Sequence, residues 1–347
     1  MPAVRQKNCG RGCLKGKVCG MKQWKMAILG VGHIAQTMAR TMAGMPNVEC
    51  YAVASRSLTK AQEFAKRFGF YRAYGSYEEL VLDDAVELIY IATPHSHHYA
   101  CAKQCLLHDK PVLCEKAFTV DAPQAKELLR LSKERHILAA EAIWTRYMPM
   151  VQTIQKILKD GMIGKPSVLT CNLGYQIADK ERLKSPGLAG GALLDVGVYT
   201  LHFASMFFGD EVENIVSSCV MTDTGVDASN AVALHYRDGR MAVLNSTMCG
   251  ISDRKGIIYG SNGFLIAENC NNFESVSVYD AGYNLILTKE RPDQLTGFEY
   301  EVQACISALE RGEIQTEAVP HTEILKVMEW MDECRRQWGI SYPCEGV

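Results

Sequence analysis

The sequence predicts an α/β protein in two parts. Residues 24–143 read as a doubly wound parallel sheet, and residues 144–347 as an α+β unit with an open, mostly antiparallel sheet. Three observations lead there. Strands and helices alternate through the first part with short loops between them. The alternation stops after Trp144. Beyond it, strand-like runs are separated by turn dipeptides that suit antiparallel pairing. Residues 1–23 stand apart as a tail rich in Cys, Lys and Gly.

The first part opens with a strand at Met26–Leu29, a glycine turn, and a helix whose apolar residues Ala35, Met38, Ala39 and Met42 recur at helical period. A second strand, "VECYAVA", precedes the helix "AQEFAKRFG", with Gly69 as its C-cap. After a helical turn in "YEELV" come a strand at Val86–Ala92, the helix "HHYACAKQCLL", the strand "PVLCE", a helix over 122–136 and the strand "ILAAEAIW". In the second part a helix (Met150–Lys159) and a strand lead into "GGALLDVGVYTLHFASMFFG", an apolar helix. Strand runs follow, with hairpin signals at Asp238-Gly239 and Asn262-Gly263. Two amphipathic helices close the chain.

Composition narrows the partners. With 37 basic and 39 acidic residues the net charge is −2, which favours neither nucleic acid nor an anionic membrane. No uninterrupted apolar run approaches the roughly 18 residues of a bilayer span, and the basic N-terminus lacks a signal-peptide core. These features point to a soluble cytoplasmic protein whose cysteines stay reduced. Most of the 14 cysteines, such as Cys50, Cys101, Cys114, Cys171, Cys219 and Cys305, sit in apolar segments as small hydrophobes. Cys9, Cys13 and Cys19 in the tail are irregularly spaced and make a weak zinc pattern.

Gly30-Val31-Gly32-His33-Ile34-Ala35 is a G-x-G-x-x-A turn between a strand and a helix. In that setting it marks a Rossmann dinucleotide site. Gly30 permits the turn, Gly32 admits the pyrophosphate, and Ala35 allows close packing, with His33 and Ile34 at the anion-binding helix start. At the end of the second strand stand Ser55 and Arg56, with no acid to hold a ribose hydroxyl. Arg56 would attract a 2′-phosphate, so NADP(H) is favoured and NAD(H) remains possible.

Ligands of such sheets sit beyond the strand carboxyl ends. Thr93, Pro94, His95 and His98 lie at one such end, and Glu115-Lys116 at another. Lys116 there can orient a substrate hydroxyl or depress the pKa of a neighbouring acid. Asp195 and Tyr199, four apart on a helix, share one face, and a nearby ammonium would help Tyr199 exchange a proton near neutral pH. The plainer alternative makes Tyr199 a packed aromatic and Asp195 a cap. His95, His97, His98, Cys101 and Cys105 could instead bind zinc, but an amphipathic helix needs Cys101 and Cys105 for its core.

Taken together, these motifs resemble the glucose-fructose oxidoreductase/inositol dehydrogenase (Gfo/Idh/MocA) family. The resemblance rests on the glycine turn, Thr93-Pro94-His95-x-x-His98, Glu115-Lys116 and Gly190-Gly191-x-x-x-Asp195-x-Gly197, and runs from about Met26 to Gly339. Much of that family has histidine at Tyr199. Tyrosine there, with "EAIWTRYMP", is most similar to the dimeric dihydrodiol dehydrogenase branch, also described as NADP-dependent D-xylose dehydrogenase. The resemblance implies proton transfer by Lys116 and Tyr199 beside Asp195, His95 and His98 near the nicotinamide, and Trp144, Arg146 and Tyr175 near the substrate. It also implies a sugar, polyol or cyclic diol substrate and a homodimer built through the second sheet. Ala117 stands where the family has proline, and Ala189 where the branch often has a third glycine. Two alternatives within or beside the family stay open: a glycoside hydrolase that retains its dinucleotide, and a dinucleotide-binding regulator.

Overall fold

The computed structural model describes residues 22–345; the expected tail with Cys9, Cys13 and Cys19 lies outside them. The first sheet has six strands: β1 (Trp24–Leu29), β2 (Val48–Ala54), β3 (Arg72–Tyr74), β4 (Leu88–Ile91), β5 (Val112–Glu115) and β6 (Ala139–Ala142). They run in the order β3-β2-β1-β4-β5-β6, all parallel. Five helices connect them: α1 (His33–Gly44), α2 (Leu58–Phe68), α3 (Tyr77–Val81), α4 (His95–Leu107) and α5 (Ala122–Arg135). Ser57, Ser76 and Asp121 cap α2, α3 and α5 by accepting the backbone N–H of Lys60, Glu79 and Gln124. Gly69 ends α2 in the left-handed conformation at φ +77°, as expected.

The period of two along a strand assigns the sheet's two faces. Met26 and Ile28 of β1 pack with α1, and Ala27 and Leu29 with α4 and α5. One late segment joins this unit. Helix 299–310, which the sequence places with residues 144–347, sends Val302, Cys305 and Ile306 into the same cluster as Met26 and α1. Its apolar face finds that sheet only in three dimensions.

A 3₁₀ turn (Trp144–Tyr147) leads from β6 into α6 (Pro149–Lys159), β7 (Pro166–Gly174) and the short α7 (Glu181–Lys184). A π-helical turn (Leu193–Gly197) runs into α8 (Val198–Phe208). Seven strands follow: β8 (Val212–Met221), β9 (Asp227–Tyr236), β10 (Met241–Thr247), β11 (Gly256–Gly260), β12 (Gly263–Glu268), β13 (Ser275–Asp280) and β14 (Leu285–Glu290). Then come α9 (Glu299–Glu310) and α10 (His321–Trp338). The second sheet, β14-β13-β12-β11-β7-β10-β9-β8, is antiparallel except where β7 and β10 pair in parallel. Both expected hairpins form, between β9 and β10 and between β11 and β12.

Two strands escaped the sequence reading, β3 and β14. Each is the edge of its sheet, and an edge strand buries too little to show a clear apolar pattern. The membrane argument also needs correction. Residues 186–208 form a helical stretch of 23 residues apolar enough, by length and composition, to cross a bilayer. Of its most apolar window 89% is buried inside the fold, where α8 packs beneath the second sheet, so the stretch serves as core. All 11 cysteines among the described residues are free thiols.

Candidate active site

The site begins at the G-x-G-x-x-A turn. Gly30 adopts φ +99°, and a Cβ there would stand 2.7 Å from the Ala92 carbonyl. Its N–H donates to Ala54 O at 2.9 Å, so the turn is pinned between β2 and β4. Gly32 differs: φ is −73° and nothing lies within 4 Å of where its Cβ would be. It caps α1 without a side-chain hydrogen bond, and the first turn of α1 has no acid. Unsatisfied N–H groups therefore face open space at the positive end of a 12-residue helix. These residues fit a dinucleotide pyrophosphate. Ser55 is buried and its hydroxyl accepts Ser57 N–H at 3.3 Å. Arg56 is exposed beside it, near His97 of α4.

From that turn a cavity of about 590 Å³ extends between the two sheets. Its first wall is Gly32, His33, Ile34, Thr93, Pro94, His95, His98, Glu115 and Lys116. Lys116 leaves the end of β5 through a cis Lys116–Ala117 peptide, and its ammonium donates to Asp195 O at 2.6 Å and Asp195 Oδ1 at 3.4 Å. The π turn makes this possible. Val198 N–H reaches back five residues to Leu193 O, and the widened turn frees a carbonyl for an outside donor. Buried Asp227 anchors the turn by accepting Leu193 N–H at 2.8 Å.

Asp195 and Tyr199 thus do not share one regular helix as expected. Asp195 sits in the π turn and Tyr199 in α8, yet both line the cavity. Burial acts to raise the Asp195 pKa, but Lys116 and Arg182 together hold the carboxyl well below the usual range. Lys116 lies 4.9 Å from the centroid of the Tyr199 ring. The depressed tyrosine pKa expected from this neighbour is not found. Burial, reinforced by Glu115 and Asp195, pushes the Tyr199 phenol well above 10. Glu115 has an inward role: it accepts from Tyr90 Oη and from Lys116 N–H at 3.2 Å. Burial raises its pKa to about 6 against the opposing pull of Lys116.

The two histidines are held by backbone. His95 Nδ1 lies 2.9 Å from Ala189 O, and burial lowers its pKa to about 3. A neutral ring donating from Nδ1 leaves Nε2 as an acceptor. Ala189 occupies the left-handed region at φ +51°, which accounts for a glycine being common there. His98 is fully buried, with Nδ1 2.8 Å from Ala117 O and Nε2 2.9 Å from Thr93 O. It ties the ends of β4 and β5 together. Burial holds it below the ordinary histidine range, so one of its two carbonyl contacts lacks a proton. For zinc the geometry is poor: Cys101 and Cys105 are buried, and among the described residues no three His, Cys, Asp or Glu side chains gather around one point.

The opposite wall is Tyr175, Ile177, Lys180, Arg182, Leu188 and Asn271, and Phe298, packed in the cluster of α1 and β1, also lines the cavity. Tyr175 Oη donates to Asn271 Oδ1 at 3.1 Å, and Arg182 Nη1 to Asp195 Oδ1 at 2.9 Å. Two expected substrate residues are elsewhere. The 3₁₀ turn after β6 carries Arg146 away to Glu323, at 3.2 Å, and to Ala318 O and Ser205 Oγ. Trp144 stacks behind Phe298, with centroids 4.4 Å apart, and Phe298 is the ring that reaches the cavity. Arg182, Lys180, Asn271 and Phe298 were missed. For the first two, the cationic loop "DKERLK" was a signal of charge, though not of direction.

Known proteins agree with this architecture. Residues 24–142 match the family model described as "Oxidoreductase family, NAD-binding Rossmann fold", and residues 151–266 match the GFO/IDH/MocA C-terminal domain. Trans-1,2-dihydrobenzene-1,2-diol dehydrogenase of Mus musculus is 31% identical over 338 residues, covering 92% of this chain and 98% of that protein. D-xylose 1-dehydrogenase (NADP(+)) of Hypocrea jecorina is 31% identical over 368 residues, covering 92% and 93%. Among solved structures, KijD10, a 3-ketoreductase from Actinomadura kijaniata in complex with NADP and TDP-benzene, superposes with a TM-score of 0.84 at 24% identity, over 91% of this chain and 98% of that one. Two matched domains in the right order, on a fold with an open dinucleotide cradle, make this chain a member of the GFO/IDH/MocA family of oxidoreductases.

Proposed function

We propose that the chain transfers a hydride between NADP(H) and the secondary alcohol carbon of a sugar, polyol or cyclic diol. The observation that carries this reading is the meeting of Lys116, Asp195 and Tyr199, from both parts of the chain, in one cavity beside the open N-terminus of α1. When bound, the nicotinamide supplies the hydride acceptor or donor.

The chain's own residues do the rest. The α1 N-terminus binds the pyrophosphate and Arg56 attracts a ribose 2′-phosphate, which supports NADP(H) over NAD(H). Lys116 orients the reacting oxygen. In reduction, Tyr199 holds its proton at neutral pH and donates it to the developing alkoxide; in oxidation it takes the hydroxyl proton back. Tyr175 and Asn271 offer hydrogen bonds to ring hydroxyls. The relatives named for dihydrodiol and D-xylose oxidation favour such substrates.

A homodimer through the second sheet belongs to the same reading. The outward row Val216, Ala233, Val243, Thr170, Ile257 and Ile266 runs in register across six strands, and Val216 and Val243 are exposed. Sedimentation at micromolar protein checks it: a monomer there would remove the dimer from the reading. The activity is tested by measuring NADP⁺ and NAD⁺ reduction over a panel of aldoses, inositols and cyclic diols. Turnover preferring NADP⁺, with Arg56→Ala narrowing the preference, supports the reading; silence with a dinucleotide bound refutes it.

A further inference from the structure

We propose that the natural substrate is an anion, a polyhydroxylated carbon chain or ring bearing a carboxylate or phosphate that docks on Lys180 and Arg182. The inference rests on the dehydrogenase reading and narrows its substrate class. It comes from the charges around the cavity. The lining contains three cations, Lys116, Lys180 and Arg182, besides histidines, and two carboxylates, Glu115 and Asp195. Both carboxylates are already engaged. Glu115 accepts from Tyr90 and from Lys116 N–H. Asp195 accepts from Lys116 and from one nitrogen of Arg182.

The outer cations keep capacity to spare. Arg182 spends Nη1 on Asp195, and its side chain is 42% exposed while lining the cavity, so the rest of its fork has donors to offer. Lys180 is exposed and enters no salt bridge among the described residues. Asp179 and Glu181, its neighbours in sequence, are exposed and lie outside the lining. The loop carrying the two cations is stitched in place: Ile177 N–H donates to Met248 O at 2.9 Å, Lys180 N–H to Ile177 O at 3.1 Å, and Leu183 N–H to Lys180 O at 2.9 Å. Another cation, Arg254, lies beside Tyr175.

A neutral xylose or diol would leave this wall facing water. An anionic group placed there would gain a charge-assisted, bidentate contact with Arg182, while its hydroxyl-bearing carbon lies against Lys116 and Tyr199. The pyrophosphate cradle is built from the backbone N–H groups of the α1 N-terminus rather than from this loop.

The test compares matched substrates on the holoenzyme: D-glucose against D-glucuronate, D-gluconate and D-glucose 6-phosphate, with NADP⁺ at saturation. A partly exposed charged hydrogen bond corresponds to about tenfold in kcat/KM. The expected result is an acid or phosphate ahead of its neutral parent by about that factor, with the lead shrinking as salt rises. Lys180→Ala should cut the anion-to-neutral ratio, chiefly through KM. Preference for the carboxylates identifies a sugar acid, and preference for the phosphate a sugar phosphate. A neutral parent preferred by the wild type, or a Lys180→Ala ratio unchanged, overturns the proposal, as does a Lys180→Ala defect confined to NADP⁺ affinity. If nothing is turned over, the dehydrogenase reading fails, and titration of the same four ligands into the NADPH complex still decides this one. Binding of an anion that Lys180→Glu abolishes supports it, and binding of none overturns it.

Discussion

Replacing Tyr199 by Phe removes a single oxygen and keeps the ring. The ring centroid lies 4.9 Å from the Lys116 ammonium, so the cation–π contact survives and Lys116 keeps its place on Asp195. What disappears is the hydroxyl proposed to exchange the substrate proton. A positioned general acid–base is worth about 10²–10⁴ in rate, or about 3–5 kcal/mol of barrier, and kcat of Tyr199→Phe should fall by that factor. Cofactor affinity should hold, because the pyrophosphate cradle at Gly32 and α1 is built from other residues. The pH profile supplies an independent readout. Burial keeps the phenol well above 10, so in the oxidative direction ionised Tyr199 is scarce near neutrality and the wild-type rate should climb about tenfold per pH unit. The reductive rate should be flat there, because the proton to be donated is already in place. Steady-state absorbance of the reduced nicotinamide in both directions, with fluorescence titration of NADPH, measures all of this. Undiminished turnover in Tyr199→Phe, or a variant that keeps the wild-type alkaline slope, would refute the proton-transfer role.

Three further outcomes follow from the geometry. Gly30→Ala should lose about 1–2 kcal/mol of stability from its left-handed backbone alone, and more from crowding Ala92 O, whereas Gly32→Ala should unfold like the wild type yet bind NADPH more weakly. Thermal unfolding and dinucleotide titration separate the two, and a Gly32→Ala protein with native affinity would move the pyrophosphate away from α1. Arg146→Met should cost about 3 kcal/mol by stranding Glu323, with the substrate KM unchanged; a raised KM at unaltered stability would return Arg146 to the substrate pocket. Glu115→Gln probes a raised carboxyl, with a folded pKa of about 6 against an ordinary 4.5. The folded protein holds that proton more tightly than the unfolded chain, so stability is lost as pH rises through this window. Relative to the amide, the wild type should lose about 2 kcal/mol between roughly pH 4 and pH 7, read by urea unfolding at both ends. A constant difference would mean that Glu115 ionises normally.

How far the site could be read from the chain depended on how local each feature is. The dinucleotide turn was legible because Gly30, Gly32 and Ala35 fall in a recognisable pattern within six residues, between a strand and a helix. Lys116 was legible because a charge at the end of an apolar strand has few places to go. Arg146 and Trp144 misled because they follow β6 directly, and the 3₁₀ turn that diverts them carries no distinctive signature. Arg182 and Lys180 belong to a loop with five charges in six residues, "DKERLK", and nothing within it says which of them face inward. Tyr199 was legible as a candidate, but its ionisation was not, since that depends on burial in the fold and on Glu115 and Asp195 packed beside it.

The sequence by itself therefore determined the two-part α/β plan, the dinucleotide turn and the strand-end position of Lys116, because periodicity, turn chemistry and strand-end charge are short-range properties of the chain. Only the tertiary structure decided that α9 packs against the first sheet, that the π turn presents the Asp195 carbonyl to Lys116, and that Lys180 and Arg182 form the outer wall. Those outcomes rest on contacts between residues tens to hundreds of positions apart, where the selecting force is burial of complementary surfaces.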